Sequence, residues 1–186
     1  MKQVVIISGS RRSGNTLAIA KMYRDELCTH NCEVDIIDLS KISFNLCDGC
    51  LLCDDNQKCK FEDGFDSFID KIRTADLVMF GSPARWRLMS GEMKAFMDRM
   101  NPYAAVEGYS GINVFIFAVG QSSAEEGQSI LDAIESMASF AHDAGMNIMG
   151  KQAFYGMYGS EDYHNEETDT RNTCKNNIDS LIEKLA

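Results

Sequence analysis

Two short stretches of this chain carry residue types whose spacing suits chemistry. The first is Gly9-Ser10-Arg11-Arg12-Ser13-Gly14-Asn15-Thr16. It lies between an apolar run and an amphipathic one, so hydroxyls, an amide and two guanidinium groups gather at a helix N-terminus, where an anion is favoured. The second is Cys47, Cys50, Cys53 and Cys59, in the pattern C-x2-C-x2-C-x5-C. It crowds four soft ligands into one loop, as an iron–sulfur cluster or an all-thiolate zinc site requires. Seven cysteines in a small secreted chain would suggest disulfides, but this chain is long enough to build its own core. They read as thiols with chemistry.

The residues of the first loop separate three kinds of phosphate site. A nucleotide-hydrolysing loop needs Lys before its final Ser or Thr. Gly9 and Gly14 have that spacing, yet Asn15 stands where the Lys belongs. A dinucleotide fingerprint needs a second glycine where Arg11 stands, although Asp38 after the second strand keeps that alternative open. What remains is a loop with Ser10, Ser13, Asn15 and Thr16 as donors and Arg11 and Arg12 as charge, suited to one terminal phosphate. The plainer alternative is a glycine turn whose Ser or Asn caps the next helix.

For the cysteines, free or redox-active thiols stand beside the cluster and the zinc site. A reactive thiol needs a lowered pKa, which the acidic neighbours Asp54, Asp55, Glu62 and Asp63 oppose. Cys28, His30 and Cys32 lie at a helix end, where metal-like spacing arises easily by chance. Cys174 reads as a small buried residue of the last helix.

The elements that position these stretches follow from periodicity. Gln3 to Ser8 is a continuous apolar run, the pattern of a strand buried on both faces. Leu17, Ala20, Tyr23 and Leu27 recur on one helical face, and Glu33 to Leu39 is a second strand. Phe65, Phe68, Ile69 and Ile72 mark a helix, followed by an apolar strand at Leu77 to Phe80. Gly91 to Met100 reads as helix and Ile112 to Val119 as the fourth strand. Ser122 and Glu125 resemble a capping box before a long helix that stops near Gly145. The last strand falls within Asn147 to Met157, and Ile178, Leu181, Ile182 and Leu185 mark a closing helix. The acidic stretch Ser160 to Thr170 reads as a solvated loop. Five strands alternating with about five helices predict one α/β domain over residues 1–186, with a parallel sheet covered on both faces.

Charge narrows the function classes. With a formal net charge of -10, most of the surface repels nucleic acid and anionic membrane. No apolar run suits a secretory leader or a membrane span, which predicts a cytoplasmic protein. Neither a hydrolase nucleophile elbow nor a paired-carboxylate site stands out.

The phosphate loop resembles that of the NAD(P)H-dependent FMN reductase and flavodoxin-like oxidoreductase family, and the likeness extends over most of the chain. In that family a segment after the third strand reads Gly-Ser-Pro-x-Tyr-Trp, then Ser-Gly, then Lys-x-Phe-x-Asp-Arg. Here it stands as Gly81-Ser82-Pro83-Ala84-Arg85-Trp86, Ser90-Gly91 and Lys94-Ala95-Phe96-Met97-Asp98-Arg99. Arg85 replaces the usual Tyr, and Arg87 stands where Gly is common. The resemblance implies a flavodoxin-like doubly wound sheet of order 2-1-3-4-5. It implies FMN held by the phosphate loop and by Pro83, Ala84, Arg85, Trp86, Met89 and Ser90, with Trp86 packed near the flavin ring. Val119, Gly120, Gln121 and Ser122 would form a third flavin loop.

The implied activity is FMN-dependent oxidoreduction, with NAD(P)H delivering hydride to the flavin and a quinone, nitroaromatic, azo compound or free flavin as acceptor. The cysteine spacing also resembles that of iron–sulfur flavoproteins, in which Cys47, Cys50, Cys53 and Cys59 would hold a [4Fe-4S] cluster beside FMN and a ferredoxin-like protein would be the partner. A redox-sensing protein is the alternative from another class. The family resemblance further implies a homodimer or homotetramer. Met89, Phe96, Met97 and Met100 would serve that contact or, more plainly, the core.

Overall fold

The computed structural model describes residues 1–104, 108–158 and 163–185, with the backbone alone for 163–168. Its strands are β1 (Lys2–Ser8), β2 (Cys32–Asp38), β3 (Leu77–Pro83), β4 (Asn113–Val119) and β5 (Asn147–Phe154). Its helices are α1 (Asn15–Thr29), α2 (Leu52–Asn56), α3 (Asp66–Thr74), α4 (Gly91–Asp98), α5 (Asn101–Ala104), α6 (Gln128–Asp143) and α7 (Tyr163–Leu185). All strand pairs are parallel and the order is β2-β1-β3-β4-β5. This is the flavodoxin-like arrangement expected.

Alternation along each strand sorts the core into two layers. Val4 and Ile6 of β1, Met79 of β3 and Phe115 and Phe117 of β4 pack under α1 and α7. Val5, Ile7, Val78, Phe80, Val114 and Ile116 face the other way, under α3, α4 and α6. The three central strands are apolar on both faces because both faces are covered. Phe96, Met97 and Met100 are buried in the second layer, so they serve the core; Met89 is only partly buried.

Two local expectations are corrected. Of the acidic stretch, residues 160–162 lie outside the described residues, but Tyr163 onward is helical. Acidic residues suit the first turns of a helix, whose N-terminus carries partial positive charge, and buried Cys174, Ile178 and Leu181 tie the rest of α7 to the sheet. The capping box at Ser122 and Glu125 does not form. α6 begins at Gln128, with Gly127 as N-cap and no side chain capping it. Ser122 belongs to the preceding loop, where its carbonyl accepts from the Gly156 N–H at 3.0 Å. The predicted stop holds: α6 ends at Asp143 and Gly145 has φ +74°.

The order places β1 between β2 and β3, so the chain reverses its direction of winding there. The carboxyl ends of β1 and β3 then open a crevice at the switch point. The loop after β1, the loop after β3 and the loop after β4 meet at this end of the sheet.

Candidate functional site

The phosphate loop begins at Gly9, whose N–H donates to the Gly81 carbonyl at 2.7 Å. A Cβ on Gly9 would stand 2.8 Å from Met93 Cβ and 3.1 Å from the Gly81 oxygen, so only glycine lets the loop lie this close to β3 and α4. The Ser90 hydroxyl donates to the Gly9 carbonyl and accepts from Met93 N–H at 3.1 Å, capping α4. Ser90 N–H in turn donates to Ser82 Oγ at 2.8 Å. The first two loops are therefore bonded to each other through buried groups.

At α1 the N-cap is Gly14 and no side chain caps the helix. The plainer reading of the loop, a Ser or Asn serving only as a cap, is not what forms. Ser10 and Thr16 are buried. The Asn15 amide is turned away from the loop, donating to the Met157 carbonyl at 3.0 Å. One oxygen of Asp38 is occupied: Oδ1 caps the 3-10 turn Leu39–Lys41, accepting from Ser40 N–H at 3.1 Å and from Ser40 Oγ at 2.8 Å, while Oδ2 is buried without a hydrogen-bond partner. The residue that kept a dinucleotide site open thus has a local structural role.

A pocket of about 230 Å³ opens at the switch point. From the first loop it is lined by Ser10, Arg12, Gly14, Asn15 and Thr16, from the second by Pro83, Ala84 and Arg85, and from the third by Val119, Gly120, Gln121 and Ser122. Ser129 and Met157, which no motif pointed to, complete it. The two arginines of the first loop part company: Arg12 lines the pocket, while Arg11 is exposed and pairs with Glu92 at 3.4 Å. Ser13 is not among the lining residues, and Ser90 lies behind the wall as a buried brace.

Arg85 and Leu88 close a two-residue hairpin, with Arg85 N–H to Leu88 O at 2.8 Å and the reverse bond at 2.9 Å. Its central residues Trp86 and Arg87 have φ of +48° and +69°, a conformation costly for residues with a Cβ. Arg87 pairs with Asp132 of α6, and Met89 N–H donates to Ser136 Oγ at 3.1 Å, which hold the turn. The hairpin leaves Trp86 97% exposed, and Trp86 is not among the residues lining the pocket. Met89 instead lines a second, larger cavity of about 620 Å³, together with Cys47 and Gly49 of the cysteine loop, Lys94 and Met97 of α4 and Phe140 of α6.

The four cysteines share one small, mainly apolar pocket with Phe61, Arg99, Asn101 and Pro102. Cys47 and Cys50 are exposed, Cys53 and Cys59 half-buried. Asn101 donates from Nδ2 to Cys53 Sγ at 3.4 Å. Among the described residues, Glu26, His30 and Asp179 bring three ligand atoms within 4.8 Å of one another, and no three of the loop's sulfurs form such a group. Tetrahedral zinc, with bonds of about 2.3 Å, needs sulfurs about 3.8 Å apart; a cluster spreads its four thiolates more widely. The His30 ring lies 3.2 Å from Asp179 and 3.7 Å from Glu26, while the Cys32 thiol donates to the His30 carbonyl at 3.8 Å.

Of the acidic neighbours, Asp54 accepts from Cys53 Sγ at 3.9 Å, whereas two others are paired with cations. Asp48 is paired with Lys60. Asp63 makes a two-pronged ion pair with Arg99, at 2.8 and 2.9 Å, and also accepts from Asn45 N–H at 2.8 Å. The Arg99 guanidinium holds the Asp63 carboxyl well below the ordinary carboxylate range, and the Asn45 bonds add to this. Arg99 is 1% exposed, packs its guanidinium over Phe65 at 4.6 Å and donates to the Asn45 carbonyl at 2.5 Å. Its Nε is buried with no partner, and the Cys59 sulfur lies near enough to contribute to its raised pKa after the larger effect of Asp63. Nothing local in the sequence links Arg99 to Asp63 or Cys59; the Asp98-Arg99 pair was legible only as the end of a longer motif.

A doubly wound parallel sheet of order β2-β1-β3-β4-β5, with three loops converging on a pocket at its switch point, defines a protein of the flavodoxin-like fold. The chain belongs to the NADPH-dependent FMN reductase family, whose model matches residues 1–159. It is 33% identical over 101 residues to an iron-sulfur flavoprotein of Methanocaldococcus jannaschii, covering 54% of this chain and 52% of that one. It is 30% identical over 103 residues to an FMN-dependent NADPH-azoreductase of Staphylococcus haemolyticus, covering 54% and 53%. These matches thus span about half the length of the curated relatives. An NAD(P)H:quinone oxidoreductase from Methanothermobacter marburgensis has the same fold, with a TM-score of 0.72 at 17% identity over 94% of this chain and 98% of that one. Among the described residues no helix is long and apolar enough to cross a membrane.

Proposed function

We propose that this chain is an FMN-dependent oxidoreductase that passes electrons from NAD(P)H to a small acceptor. The observation that carries the reading is the pocket at the switch point, where the basic phosphate loop, the Pro83–Arg85 segment and Gly120–Gln121 surround one opening. Its donor set fits a phosphate monoester: the buried hydroxyls of Ser10 and Thr16, the Arg12 guanidinium and the free N-terminal amides of α1. The Pro83–Arg85 segment and Gly120 of the third loop line the same pocket and would face the ring. When bound, FMN supplies two-electron chemistry with a nicotinamide and electron transfer to an acceptor. The protein's part is to bind, orient and screen.

Arg85 adds a second cation to the pocket, which favours an electron-rich ring or an anionic group of the substrate. The second cavity of about 620 Å³ shares no lining residue with the switch-point pocket, but Met89, four residues beyond Arg85, borders it; apolar at Met89, Met97 and Phe140 and polar at Lys94, it has the size and lining of a small-molecule site. We assign it to a flat acceptor of the quinone or azo class, the class acted on by the enzymes named above.

The test is direct. The purified chain is titrated with FMN and with riboflavin, and then assayed for NADPH and NADH oxidation with a quinone and an azo dye. FMN held much more tightly than riboflavin, with turnover on either acceptor, is the expected result. Failure to hold FMN would overturn the reading.

A second reading concerns the cysteine loop. The iron–sulfur flavoprotein relatives and the spacing of Cys47, Cys50, Cys53 and Cys59 support a cluster bound there. So do the shared pocket, the Asn101 bond to Cys53 and the buried Arg99 cation. The pocket is small, so the exposed part of the loop would open to admit it. Cys47 and Met89 line the same cavity, which supports electron exchange between the loop and the proposed flavin segment. Iron and acid-labile sulfide counted on anaerobically purified protein decide between a cluster-bearing electron carrier and a reductase with free thiols.

A further inference from the structure

We propose that Arg99 is a positioning residue that sets how readily the group held by Cys47, Cys50, Cys53 and Cys59 accepts an electron. This rests on the cluster reading of that loop. Arg99 is the last residue of the α4 motif and is 1% exposed, among the largest fully buried side chains of the described residues. A guanidinium cannot be deprotonated in a protein, so a permanent positive charge stands in the wall of the four-cysteine pocket. One side of it is taken up: Nη1 and Nη2 are bound by Asp63, Nη1 also by the Asn45 carbonyl. The other side, Nε, has no protein acceptor although it is buried. A buried donor without a partner costs stability unless a bound group accepts from it. The candidate acceptor chemistry is thiolate sulfur, since Cys59 and Arg99 line the same pocket.

The consequence is electrostatic. Reduction of a thiolate-bound cluster adds one electron to the iron and one negative charge to the site. No bond at sulfur is made or broken and no proton is taken up; in the test the electron comes from dithionite. A nearby cation favours the reduced form, and burial keeps water from screening it. Asp63 lies behind Arg99 and partly cancels that charge. The pair therefore acts as an oriented dipole with its positive end toward the thiolates. Of the other charged groups beside the thiolates, Lys60 with Asp48 and Lys94 with Asp98 form more exposed pairs, and Asp54, which accepts from Cys53 Sγ at 3.9 Å, is exposed; solvent weakens the effect of all of them.

The prediction is a pair of opposite signs, which a purely structural strut would not produce. Cluster-loaded wild type, Asp63→Asn, the double variant Arg99→Gln with Asp63→Asn, and Arg99→Lys are titrated anaerobically with dithionite against redox dyes, and iron and FMN are counted on each. Asp63→Asn keeps an acceptor for Arg99 but uncovers its charge, so the equilibrium constant for one-electron reduction rises about tenfold, equivalent to about 59 mV for a one-electron couple. The double variant removes both charges and brings the constant back about tenfold or more, below that of wild type. Arg99→Lys keeps the charge and stays close to wild type. Arg99 lines no part of the switch-point pocket, so unchanged FMN uptake shows that a variant is folded. If Asp63→Asn does not fold, the double variant against wild type still reports the sign. Clusters present in all proteins with unmoved constants, or with shifts of one sign, overturn the assignment of Arg99 and leave the cluster reading intact. Wild-type protein that assembles no cluster overturns both, whereas FMN binding and turnover are read separately on the same samples.

Discussion

The Ser90 hydroxyl donates to the carbonyl oxygen of Gly9, so the residue that caps α4 also fixes the first residue of the phosphate loop. Two loops that are 81 residues apart share one buried group. Ser90→Ala removes the cap and the brace together. We expect a loss of about 1–2 kcal/mol of stability, read from urea unfolding, and weaker FMN binding in a fluorescence titration. Unchanged FMN affinity in the destabilised variant would show that the brace does not shape the pocket.

The two arginines of the loop should differ. Arg12 lines the pocket and Arg11 is paired outside it. Arg12→Ala is expected to weaken FMN about 10- to 100-fold, the range of a charge-assisted hydrogen bond, and to leave riboflavin binding nearly unchanged. Arg11→Ala should do little to either. Calorimetric titration of both ligands against both variants checks this.

Gly81 permits the packing of β3 on β4. A Cβ there would stand 2.1 Å from Phe117 Cζ, and both residues are fully buried. Gly81→Ala is therefore expected to cost about 1–3 kcal/mol or more through overpacking. Adding Phe117→Leu should return part of it. Thermal unfolding of the single and double variants would show whether the clash is relieved.

Acid should loosen the cysteine loop through Asp63. Its carboxyl is held below the ordinary range by Arg99, so the folded state binds its proton less readily than the unfolded state does. The stabilisation is complete above the unfolded carboxylate pKa, about 3.9, and is lost as pH falls through the lower folded value. Wild type should lose stability more steeply below about pH 4 than Asp63→Asn does. Neutral-pH unfolding should show the variant weaker by about 3 kcal/mol, the cost of breaking a buried pair.

The thiols should divide by burial. Burial pushes the Cys174 thiol up to about 12 and also raises Cys32. Both are expected to resist alkylation at pH 8 in the native protein, while Cys28, Cys47 and Cys50 react quickly. Protection of Cys47, Cys50, Cys53 and Cys59 after anaerobic iron loading would give independent support to a bound cluster.

Much of this protein was legible before folding. The alternation of strands and helices, the layered core and the phosphate loop depend on spacing along the chain, and periodicity is a local property. The motif from Gly81 to Arg99 and the four-cysteine spacing were likewise visible. Locally ambiguous signals failed: Ser122 and Glu125 imitate a capping box, and acidic residues after 160 suit either a loop or a helix start. Only the tertiary structure decided which groups of the motifs meet. It turned Arg12 into the pocket and Arg11 out, sent Trp86 to solvent, and added Ser129 and Met157 to the lining. It also paired Arg99 with Asp63 and set it in the wall of the four-cysteine pocket. These contacts join residues distant in sequence, and they follow from the order β2-β1-β3-β4-β5, which sets which strand ends converge at the switch point and so which side chains can touch.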